Sequence, residues 1–101
     1  MAERNFMEVL REDAPEVAEA LIDLAGKVFA RPALPEKTKQ LIYLAVCAAV
    51  HPDRGVAVHC GRARALGATR EEVIEALLLT IPAAGLSGVS RHLAAAVESF
   101  D

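Results

Sequence analysis

The sequence predicts an all-α protein of about six helices around a central apolar helical hairpin. Three observations predict it. Apolar residues recur at helical spacing through most of the 101 residues, no stretch alternates apolar with polar as a half-buried strand does, and the intervening segments carry helix-start and helix-stop chemistry. The hairpin is Lys37 to Val50 followed by Gly55 to Leu66, joined by the turn His51-Pro52-Asp53-Arg54.

A short first helix, residues 5 to 11, sets Phe6, Met7 and Leu10 on one side. Asp13 is placed to cap the second helix, and Pro15 fits its first turn, where an amide proton has no helical partner to lose. That helix carries Val17, Ala20, Leu21, Leu24, Ala25 and Val28 on an inward stripe, with Glu16, Glu19, Asp23 and Lys27 opposite. Arg31-Pro32-Ala33-Leu34-Pro35 ends it, because proline drives the residue before it out of the helical region. Pro35 opens the third helix, and polar first turns run from Glu36 to Gln40. Leu41 to Val50 is then apolar all round, the pattern of a helix surrounded by protein. Its alanine content and charged lead-in set it apart from a buried strand.

The fourth helix closes at Leu66, where Gly67 suits a left-handed cap. Thr69-Arg70-Glu71-Glu72 is a capping box: the Thr69 hydroxyl accepts from the Glu72 amide while the Glu72 carboxylate reaches back. The fifth helix, Arg70 to Ile81, directs Val73, Ile74, Leu77, Leu78 and Ile81 inward, and Pro82 and Gly85 break or kink it. Ser87 or Ser90 starts the last helix, which ends near Phe100.

A chain of this length reads as a single domain, residues 1 to 101. Its hydrophobic share is 53%, above the usual value of about 45–50%, and comes from Ala, Val and Leu rather than from large aromatic residues. So much apolar surface on so small a body predicts a homo-oligomer. The net charge of −3 excludes a general attraction to nucleic acid. Arg62, Arg64 and Arg70 run straight into Glu71, Glu72 and Glu75, and no aromatic residues interleave with them as a stacking platform requires. The longest apolar run is ten residues, about half a membrane span. With no apolar leader segment and two cysteines, too few for a secreted disulfide framework, the chain is expected in the cytoplasm.

Several pieces carry a resemblance. They are Leu34-Pro35-Glu36-Lys37-Thr38-Lys39-Gln40-Leu41-Ile42, then Val58-His59, then Arg62 to Thr69, then Arg70-Glu71-Glu72-Val73. In this order, with His59 eight positions before Gly67, the stretch from Pro35 to about Val97 resembles the carboxymuconolactone decarboxylase family, which includes the alkylhydroperoxidase D proteins. The resemblance implies an alkylhydroperoxidase D-like helical fold whose central helical pair is shared across subunits, in trimers or hexamers. The peroxidase branch of that family works with a Glu on the first central helix, a Cys-x-x-Cys opening the second, and a His four residues after the second Cys. Counted back from His59, these positions hold Gln40, Pro52 and Gly55, so His59 alone matches. The decarboxylase branch lacks the cysteine pair and keeps a His there, and this sequence resembles it more closely at the site.

His59 is therefore the leading catalytic candidate, since imidazole moves a proton in either direction near neutral pH. Cys60 beside it is a reactive thiolate if the His or the helix N-terminus lowers its pKa, and otherwise a small buried residue. Cys47 lies within the apolar run, where burial opposes ionisation, and packing of the central pair brings it toward Cys60. Gln40 has no titratable proton, so it is an orienting or substrate-binding group or an ordinary surface amide. Arg54 and Arg91 are candidates for binding a substrate carboxylate. His51, Asp53 and His92 make no recognised metal spacing with His59, and no metal or other cofactor is expected. Three functions stay open: a decarboxylase-type enzyme acting through His59 on a carboxylate or lactone, a thiol peroxidase acting through Cys60 with His59, and a family member that only binds a ligand or assembles.

Overall fold

A computed structural model describes residues 5–50 and 55–100. The described residues are helical and contain no strand: α1 (Phe6–Asp13), α2 (Pro15–Phe29), α3 (Glu36–Val50), α4 (Gly55–Ala65), α5 (Arg70–Leu78), α6 (Thr80–Ala84) and α7 (Ser87–Glu98). They fall into two compact units, one up to Ala33 and one from Leu34 onward.

The first unit is the α1–α2 pair. Asn5 caps α1 in a reciprocal box: its Oδ1 accepts from the Glu8 amide at 2.9 Å, and the Glu8 carboxylate accepts from the Asn5 amide at 3.3 Å. Asp13 does not cap α2 as expected. It is the last residue of α1, and Ala14 stands at the α2 N-cap with no side-chain bond. Pro15 opens α2 in the predicted way. The stripe of Val17, Leu21, Leu24 and Val28 does not turn into a core: these side chains are 41–59% exposed, and of the α2 residues Ala18 alone is buried. The pattern forms the helix, but a two-helix unit has too little opposing surface to cover it.

The second unit is built on α3, which packs against α4, α5, α6 and α7. Its core joins Leu44 and Ala48 of α3 to Val56 and Cys60 of α4, Val73 and Leu77 of α5, and Val89 and Ala96 of α7. The all-round apolar run of α3 is covered on this side only; Ile42, Val46 and Val50 are 49–61% exposed. Short side chains, among them Ala45 and Ala76, leave a groove of about 360 Å³ between α3 and α5.

Two glycines set how closely α3 is approached. A Cβ on Gly55 would lie 2.6 Å from Cys47 Sγ. A Cβ on Gly88 would lie 2.9 Å from the carbonyl carbon of Ala48 and nearer still to its oxygen. Gly67 has the predicted positive φ of 95°, and the amide of Ala68 returns to the Ala63 carbonyl at 2.9 Å. The expected fifth helix is divided at Leu79 into α5 and α6. Pro82 has no amide proton for the Leu78 carbonyl and its ring crowds that carbonyl, so the break falls a turn before the proline. Leu78, expected inward, is 44% exposed. Ser87 starts α7 as expected, after a Leu86 N-cap that makes no side-chain bond.

The Thr69 box forms as read, with Thr69 Oγ1 accepting from the Glu72 amide at 3.1 Å and Glu72 Oε1 accepting from the Thr69 amide at 2.9 Å. Lys37 Nζ also meets Glu72 Oε2 at 3.0 Å, tying the start of α3 to the start of α5. The Thr69 amide bond, then Lys37, holds the Glu72 pKa below its ordinary value of 4.5.

Gly88→Ala should lower stability by about 1–3 kcal/mol in urea unfolding, because backbone must move. Gly61, a helical position with open space around it, should gain about 0.5–1 kcal/mol on substitution by Ala. A depressed folded pKa means that the Glu72 contribution is complete above 4.5 and is lost as pH falls through the lower folded value. Urea midpoints measured between about pH 6 and pH 3 should show that acid loss, and Glu72→Gln should flatten it.

Candidate functional site

The α3–α4 hairpin positions the site. Gln40 stands three turns before the end of α3, where the polar lead-in gives way to the apolar run, and faces His59 of α4. Both are buried, and the Gln40 Oε1 to His59 Nδ1 distance is 2.6 Å. Tyr43, one turn after Gln40, lays its ring over the imidazole with centroids 3.9 Å apart and planes at 36°. Tyr43 is 39% exposed, so it spans from the imidazole to solvent. Arg62, one turn after His59, is exposed on α4.

Burial, and then the charge of Arg62, push the His59 pKa below its ordinary 6.5. The ring is therefore neutral at pH 7, with one protonated nitrogen and one lone pair. Nδ1 is engaged with Gln40. The site brings together a buried imidazole, a buried side-chain amide and a phenol ring, with a guanidinium one helical turn away. His92 Nε2, on α7, is sealed and unpartnered among the described residues.

The structure places the other candidates apart from this arrangement or in a different state. Cys60 has no exposed surface, and burial raises its thiol pKa to about 11. Cys47 is 7% exposed, also has a raised pKa, and fits its Sγ against the bare backbone of Gly55. Both are free thiols. Gln40 is not the surface amide that its polar neighbours suggested. Arg91 is exposed on α7. Arg54, like His51 and Asp53, lies outside the described residues. No three His, Cys, Asp or Glu side chains gather among the described residues as a metal site requires. Sequence reading missed Tyr43, whose available signal was its three-residue offset from Gln40; Arg62 is exposed, as a charged surface residue is expected to be.

This buried glutamine–histidine contact on a helical hairpin coincides with a family match. Residues 15–98 match the carboxymuconolactone decarboxylase family, and the chain belongs to it. It is also 29% identical over 92 residues to a Methanocaldococcus jannaschii protein described as "Uncharacterized protein MJ1511", covering 91% of this chain and 86% of that one. No helix among the described residues is long and apolar enough to cross a membrane.

The state of the thiols is directly measurable. At about pH 8 a thiol of pKa about 11 is ionised to about one part in a thousand. Native protein should leave Cys60 unmodified by iodoacetamide, and both thiols should react fully in guanidinium chloride, as read by intact mass.

Proposed function

We propose that the chain is a small-molecule enzyme of the decarboxylase type, acting on a carboxylate or lactone with His59 as proton carrier and no cofactor. The observation that carries this reading is the Gln40–His59 contact, which holds one ring nitrogen against an amide oxygen and leaves the other for the proton. In such a reaction the bond from the substrate carbon to its carboxylate breaks and carbon dioxide leaves. The electron pair stays on the carbon, delocalised into the lactone, and Nε2–H of the imidazolium protonates that carbon. Nε2 regains its proton from water. A lowered pKa makes the imidazolium the stronger acid for this delivery. The amide of Gln40, with Arg54 and Arg91 in the oligomer, supplies candidate contacts to a substrate carboxylate, and Arg62 joins them by its place one turn after His59.

A thiol peroxidase reading is weaker here. Burial keeps Cys60 protonated, and Cys47 Sγ occupies the space into which a side chain at position 55, the second cysteine position of the peroxidase branch, would project. A family member that only binds or assembles is the remaining alternative. The uncovered faces of α2 and of α3 with α5 support a homo-oligomer, a trimer or hexamer by family resemblance, and a cytoplasmic location is part of the same reading.

The test is turnover of a panel of carboxylated lactones, followed by carbon dioxide release, beside consumption of an organic hydroperoxide. His59→Gln should lower decarboxylation by about 10²-fold or more, and Cys60→Ser should leave it within about twofold. Because the imidazolium delivers the proton, turnover should rise as pH falls toward a midpoint below 6.5 and then level off. Hydroperoxide consumption lost in Cys60→Ser would replace this reading with the thiol one, and ligand-dependent melting without turnover would replace it with binding.

A further inference from the structure

Gln40 occupies a position where a side-chain amide, and not a carboxylate, meets a catalytic-candidate imidazole, and this has a consequence for which nitrogen works. The amide oxygen has lone pairs and no proton, so it can only accept. At 2.6 Å from Nδ1, with both side chains buried, Gln40 Oε1 leaves Nδ1 no role other than donor. A neutral imidazole carries one proton. With that proton on Nδ1, the lone pair sits on Nε2.

We infer that Gln40 is a positioning residue that fixes His59 in the Nδ1–H tautomer, making Nε2 the single atom through which the ring takes and returns a proton. The inference rests on the reading of His59 as proton carrier and adds the atom and the residue that selects it. A carboxylate at position 40 would also accept from Nδ1, but its charge would stabilise the imidazolium and provide a second seat for the proton. The amide does neither. Nδ1 keeps its proton in the neutral and the charged ring alike, and the proton count changes at Nε2 alone. Tyr43 holds the ring plane from one side, so rotation of the imidazole to exchange its nitrogens would disrupt both the hydrogen bond and the ring contact.

The experiment is two-bond nitrogen–proton correlation NMR on protein labelled with ¹⁵N at histidine, with His59 assigned by comparison with His59→Gln. At neutral pH the wild-type ring should show a pyrrole-type Nδ1 and a pyridine-type Nε2. In Gln40→Leu the acceptor is gone, and the proton should move to Nε2, the tautomer that an unconstrained histidine favours. In the isosteric Gln40→Glu the Nδ1–H tautomer should persist while the His59 titration midpoint rises by about one unit or more. The rise in Gln40→Glu follows from charge alone, whereas a merely structural role for Gln40 predicts an unchanged tautomer in Gln40→Leu. A pyridine-type Nδ1 in the wild type overturns the inference, with no variant needed, and so does an unchanged tautomer in a folded Gln40→Leu. The tautomer is read without turnover. A chain with the Nδ1–H ring and no decarboxylation therefore retains this inference and loses the proposed function.

Discussion

Close approach to α3 is the constraint on which the rest of the second unit depends. Two helices meet it at different points: Gly88 lets α7 come to the Ala48 carbonyl, and Gly55 lets α4 begin against the Cys47 thiol. Small residues bring little area each, so the benefit lies in the number of neighbours that reach one helix rather than in any large side chain. With α4 held at this distance, an amide on α3 and an imidazole on α4 can meet directly. The pair, 2.6 Å apart, belongs to the same hairpin in which Gly55 accommodates Cys47.

The electrostatics of the hairpin follow from what lies inside it. Cys60 and Cys47 share the interior without a compensating cation, and burial opposes their ionisation. His59 is at the edge of that interior. The same desolvation acts on it with the opposite result for charge state, favouring a neutral ring at a pH where free histidine is partly charged. One environment therefore keeps two thiols protonated and one imidazole uncharged.

Much of this was legible in the sequence. The helices follow from 3.6-residue periodicity, Gly67 from the need for a left-handed cap, and the Thr69–Glu72 box from its spacing, because each is a local property. What sequence could not supply was the partner of each face. The stripe of α2 and the apolar run of α3 have the pattern of buried helices, yet Leu24, Val46 and Val50 are exposed, since periodicity shows which side is apolar and not what covers it. Pro82 was read as a break, but the place of the break depended on the carbonyl a turn earlier. At the site, His59 was visible as the one family position retained. Gln40 looked like part of a polar surface because its neighbours are Lys37, Lys39 and Glu36, and its burial depends on α4 lying across it. Tyr43 and Arg62 became relevant only once two helices were paired.

The glutamine–histidine contact also simplifies the acid–base bookkeeping of the hairpin. Two titratable groups in direct contact lose their protons as a pair, with macroscopic midpoints that belong to neither residue. An amide has no such equilibrium. His59 therefore has a contact partner whose charge is the same at every pH at which the fold survives, and their bond introduces no second ionisation. The curve traced by this imidazole is that of one residue in a fixed setting, so its midpoint is a direct readout of how dry and how positive the mouth of the hairpin is.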